Sequence, residues 1–84
     1  MSVEDKMIAR EVMREFSRRR NLDASDVKIS VSRGIGYVSG IIRAAPGENI
    51  DPKVEIKSIQ ESSRRIGGLK GLSIEATFDT SSKH

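Results

Sequence analysis

Val27-Lys-Ile-Ser-Val-Ser-Arg-Gly-Ile-Gly-Tyr-Val-Ser-Gly-Ile-Ile-Arg43 decides the fold. In its first half Val27, Ile29 and Val31 alternate with Lys28, Ser30 and Ser32, the period of a strand with one buried and one wet face. After the break Arg33-Gly34-Ile35-Gly36, the residues Val38, Gly40 and Ile42 alternate with Tyr37, Ser39 and Ile41. Glycine in the break supplies the positive φ that hairpins demand, so the stretch predicts strand, turn, strand. A glycine within a strand, as at Gly40, weakens it unless the missing side chain is put to use. Close approach of a helix is the expected use.

On the N-terminal side, Met7-Ile8, Val12-Met13 and Phe16 recur at three- and four-residue steps in an otherwise charged segment. That is the apolar stripe of an amphipathic helix, predicted over residues 3–20. Ser2 and Asp5 have the spacing of a capping box. Arg18-Arg19-Arg20 places cations beside the last unpaired carbonyls, and Asn21 suits the left-handed residue that ends a helix. Residues 21–26 read as a polar connection, with Leu22 folding back onto the helix. On the C-terminal side, residues 44–50 form a loop broken by Pro46-Gly47, and Asp51-Pro52 announces a second helix as N-cap and first-position proline. Ile56, Ile59, Ser63 and Ile66 share its inner face, and Gly67 reads as its stop. Gly68-Leu-Lys-Gly71 then turns into a third strand, where Leu72, Ile74, Ala76 and Phe78 alternate with Ser73, Glu75 and Thr77. The expected fold is α+β: a two-layer sandwich in α-β-β-α-β order, with a three-stranded sheet and two helices on one face. It forms one domain over residues 1–84, with a core over about 3–79 and a polar tail at 80–84.

Composition bounds what such a domain can do. A chain of 84 residues hides only about 60 to 65% of its unfolded surface, so the core must be small. Hydrophobic residues make up 36% and charged residues 32%, and the aromatic residues are Phe16, Tyr37 and Phe78. There is no cysteine, which excludes disulfides, thiolate nucleophiles and thiolate metal sites. Apolar runs are short, and the sequence opens on the acidic Met-Ser-Val-Glu-Asp-Lys. Neither a signal peptide nor a membrane span is expected, and the expected location is cytoplasmic. A net charge of +3 permits phosphate-bearing partners and also matches ordinary solubilising charge.

Catalytic constellations are hard to find. His84 is the only histidine and the last residue, a poor place to hold catalytic or metal geometry. No catalytic residue, metal ligand or cofactor is assigned. Gly34-x-Gly36 lacks the third glycine and the helix of a dinucleotide fingerprint and reads as a turn. Gly68-Leu-Lys-Gly71 matches the G-x-x-G that clamps nucleic-acid backbones in KH domains, but there the loop joins two helices, and here a strand pattern follows.

Two surfaces are candidates for binding. Arg18, Arg19 and Arg20 at the end of the first helix, with Arg64, Arg65 and Lys70 at the end of the second, form a candidate anion-binding set. Arginine's planar fork suits phosphate. If both helix C-termini lie at one end of the domain, these residues make a basic rim for nucleic acid or anionic headgroups; otherwise each cluster simply complements its own helix dipole. On the wet sheet face, Tyr37, Ser39, Ile41 and Thr77 form a candidate interface for a protein partner or a second copy, and the edge strands offer a further route through strand addition.

The pair Ile29-x-Val31-x-x-Gly34 and Val38-x-Gly40-x-Ile42, with Arg65-Ile66-Gly67 and Gly68-Leu69-Lys70-Gly71-Leu72, resembles a BON domain over roughly residues 5–79. Gly36 departs from the aliphatic residue usual there, and the loop over 44–50 is longer than common. The resemblance implies a non-enzymatic binding module whose partners are proteins or an anionic phospholipid surface.

Overall fold

The computed structural model describes residues 3–79, and in it the opening stretch forms the central hairpin. Strands β1 (Leu22–Ser32) and β2 (Ile35–Ala44) run antiparallel, with Ser32 opposite Ile35. Arg33 and Gly34 alone make the turn, at φ 54° and 83°. Positive φ at both central positions matches the twist of the flanking strands. Ile35 and Gly36, expected in the turn, already belong to β2. Gly36 is buried there, and a Cβ on it would sit 2.7 Å from Leu72 Cδ1. The strand thus has a slot that the neighbouring leucine fills.

Helix α1 (Val3–Ser17) precedes the hairpin, and α2 (Pro52–Ser63) follows it. The chain ends in β3 (Gly71–Ile74) and β4 (Thr77–Asp79), both parallel to β2, so β2 is the central lane between β1 and the β3–β4 pair. Val38 pairs with Ile74 and Ile41 with Thr77, three residues on along each strand. The expected third strand is therefore one lane in constant register, interrupted at Glu75 and Ala76. The α+β class and the α-β-β-α-β order hold, with four strands occupying three lanes.

The interruption lies level with Gly40, and the reason for that glycine differs from the expected one. Its φ is 94°, and a Cβ on it would overlap the carbonyl oxygen of Asp26. The neighbouring strand, rather than a helix, occupies the space. Asp23 faces Arg43 and Asp26 faces Ile41, so Ala24 and Ser25 together oppose Ile42. This is a bulge, which bends a strand and sharpens its twist. Bulge, positive φ and lane break together place the irregularity at one level of the sheet.

Two further boundaries differ from expectation. Residues 22–26, expected as a connection, are the start of β1, with Leu22 buried and paired to Ala44. Their polar composition and the bulge hide the strand's alternation. Asn21 does not take the left-handed conformation, since Arg33 is the one non-glycine among the described residues with positive φ. Helix α2 starts as expected, with Asp51 accepting from the Lys53 N–H at 3.0 Å. It ends at Ser63, before Gly67, and turns carry the chain on to β3. The capping box at Ser2 and the tail at 80–84 lie outside the described residues.

Both helices pack on one face of the sheet. Ile8, Val12 and Phe16 of α1 and Ile59 of α2 meet Leu22, Val27, Val31, Val38 and Ile42 in one core. The inner face of α1 repeats every four residues, as a helix on a sheet requires.

Candidate functional site

Strand alternation and the pairing register define the face that the helices leave open. Lys28, Ser30 and Ser32 of β1 lie beside Ser39, Tyr37 and Ile35 of β2, and Gly71, Ser73 and Thr77 lie beside Ile35, Tyr37 and Ile41. The structure thus brings Tyr37, Ser39, Ile41 and Thr77 together on this face. Ile35, missed because it was expected in a turn, joins them. Tyr37 is 39% exposed, and Ile35 and Ile41 are half-buried. An apolar stripe runs down the middle lane, with hydroxyls on both sides.

The charges on this face lie at its ends and edge and are acidic in excess: Asp23, Asp26 and Asp79 with the exposed Glu75 stand against Lys28 and Arg43. Arg43 donates to Asp26 and approaches Asp79 at 3.9 Å. The hydrogen bond to Asp26 raises the pKa of Arg43 above its already high value. Beside it, the N–H of Ser25 donates to Asp23 Oδ1 at 3.0 Å. That bond, aided by the charge of Arg43, holds the Asp23 carboxyl below its usual range. Lys28 is left as the one cation of the face with no salt bridge among the described residues.

The candidate anion-binding set is dispersed. Arg65, Ile66 and Gly67, just past α2, line a groove that runs along α1 past Met7, Ile8, Glu11 and Glu15 to Arg18. At the other end Arg19 and Asn21, just past α1, reach Glu55 in the first turns of α2. The helices are antiparallel, so their C-termini lie at opposite ends; of the expected basic rim only Arg18 and Arg65 share a groove, with Glu11 and Glu15 lining it beside them. Arg18 pairs with Glu15 at 3.3 Å and Arg20 is exposed. Arg64 and Lys70 share a groove beside β3.

Arg19 is drawn inward instead. Its guanidinium lies 3.6 Å from Glu55 Oε1 and donates to Ser62 Oγ at 3.2 Å, while Asn21 donates to Glu55 Oε2 at 2.9 Å. Glu55 is only 8% exposed. A buried carboxylate beside one guanidinium keeps both charges compensated, and removing one partner strands the other. Glu55→Ala is expected to cost about 2 kcal/mol, below the range for fully buried pairs because the Arg19 side chain keeps 19% exposure and can turn to water. Chemical denaturation of the variant beside Arg19→Ala measures this, and a double variant no worse than either single one confirms the coupling. The sequence offers a faint signal: with Ile59 inward, Glu55 one turn earlier must face inward too.

No group of three or more histidine, cysteine, aspartate or glutamate residues among those described is placed to hold a metal ion. No helix among the described residues is long and apolar enough to cross a membrane. These features define a class, an α+β sandwich with one helix-free sheet face. No protein-family model, curated protein or solved structure matches the chain.

Proposed function

We propose that the chain is a BON-like, non-catalytic binding module that docks protein on its open sheet face, a second copy of itself being the partner. The observation that carries this reading is the uncharged centre of that face. In a chain with 32% charged residues, Tyr37 lies on an apolar stripe between Ser30 and Ser73, with the charged residues set around this centre. Depletion of charge around an aromatic anchor is the composition of interface cores. No charge opposes a second copy at the centre of the face, and hydroxyls can donate and accept with equal ease.

Size sets the strength. Three lanes about 4.8 Å apart and nine residues at about 3.3 Å each offer about 400 Å² per copy. That is about half of what each partner gives in a standard interface, so the dimer is weak and dissociates in the high micromolar range. Ser39→Lys sets a cation in the middle of the face at an exposed position. It is expected to raise the dissociation constant tenfold or more, with a loss of stability below about 1 kcal/mol because the new lysine lies opposite Lys28, as read by sedimentation and by thermal melting. A nucleic-acid binder using the arginine clusters is the opposing reading. Retention on heparin and a steep salt dependence of binding to DNA or RNA would favour it, and sedimentation with anionic but not neutral vesicles would favour a phospholipid ligand.

A further inference from the structure

We propose that the groove between α2 and the free edge of β3 accepts an acidic, extended peptide as an added strand. This surface is separate from the open face and reaches beyond the self-association proposed above. β3 pairs with β2 on one side only. Glu75 donates its N–H to Val38 at 2.8 Å, and strand backbone alternates direction at each residue, so Leu72 and Ile74 direct their N–H and C=O groups away from β2. Gln60 of α2 donates to the Leu72 carbonyl at 3.3 Å, which shows independently that this carbonyl points outwards into the groove. The Leu72 and Ile74 N–H groups and the Ile74 carbonyl have no partner of this kind among the described residues. A half-paired strand beside a helix is the geometry that strand-adding peptides use.

The lining selects the peptide. The groove holds about 270 Å³, with Leu69 and Leu72 as apolar floor and Arg64 and Lys70 as cationic walls. Neither cation has a salt bridge among the described residues. Lys53 and Lys57 continue the same side of α2, all exposed. Glu61 lies about 60° further round the helix from Arg64. An incoming strand places alternate side chains on opposite sides, so an alternating peptide turns one series to the groove that Leu72 and Arg64 line together, and with its acidic series there it meets Arg64 and Lys70. A basic peptide meets like charge there.

The test uses a labelled eight-residue peptide alternating valine and glutamate, a valine–lysine counterpart and an oligothymidylate of similar length. The acidic peptide is expected to bind, to lose affinity as salt rises, and to slow hydrogen exchange at the Leu72 and Ile74 amides. Arg64→Glu and Lys70→Glu, both at exposed positions, are each expected to weaken binding tenfold or more, while Ser39→Lys on the open face leaves it unchanged. No binding of the acidic peptide at millimolar concentration, equal binding of the lysine peptide, tighter binding of the oligonucleotide, or protection elsewhere than on β3 would each overturn the proposal. Loss of self-association in Ser39→Lys with peptide binding intact separates this surface from the open face.

Discussion

Gly40→Val is expected to cost about 2 to 6 kcal/mol of stability. Two costs add at this position. A β-branched residue held at the φ of 94° found here stores about 1 to 3 kcal/mol of backbone strain. Its Cβ would also overlap the Asp26 carbonyl, with the Lys28 nitrogen 3.4 Å away, and forcing atoms into packed space costs about 1 to 3 kcal/mol more. Backbone on both strands has to move, since no flexible side chain is there to yield. A total of about 2 to 6 kcal/mol stands against the roughly 4 to 12 kcal/mol that holds a domain of this length together. Gly47→Val is the control, because Gly47 has φ 81° but nothing within 4 Å of the position a Cβ would take. It carries strain without overlap, and urea denaturation of both variants separates the two contributions.

Phe16→Ala is expected to cost about 3 to 5 kcal/mol. Phe16 is fully buried in the last turn of α1 and is the largest such side chain of the core. It packs among the residues that join α1 to β1 and β2. The cavity cannot close easily, because β1 turns directly out of α1 at Leu22, itself buried. The exposed Met7 on the same helix provides the contrast, and Met7→Ala should change stability by less than about 0.5 kcal/mol. Thermal melts followed by circular dichroism measure both.

What the sequence made legible were the features with a local cause. The alternation of Val27, Ile29 and Val31, the stripe of Ile8, Val12 and Phe16, and the Asp51-Pro52 start of α2 each rest on short-range rules, and each stands in the structure. The placing of Tyr37, Ser39, Ile41 and Thr77 on one face followed from strand parity alone. What escaped depends on pairing across the chain. The start of β1 at Leu22 was masked by the bulge at Ala24 and Ser25, visible only once Ile42 is opposite them. The use of Gly40 could not be read without knowing that Asp26 lies alongside. Burial of Glu55 and the inward turn of Arg19 needed the antiparallel arrangement of the helices, which also spreads the arginine clusters apart, with Arg18 and Arg65 alone sharing a groove.

That spread matters for function, because it moves weight from the cationic helix ends to the uncharged centre of the sheet face. Sedimentation velocity over a wide concentration range tests this most directly, on the unmodified chain and on Ser39→Lys. A sedimentation coefficient that climbs with concentration for the first and stays at the monomer value for the second is the result predicted. A monomer at every concentration, or association that the new lysine leaves untouched, would contradict it.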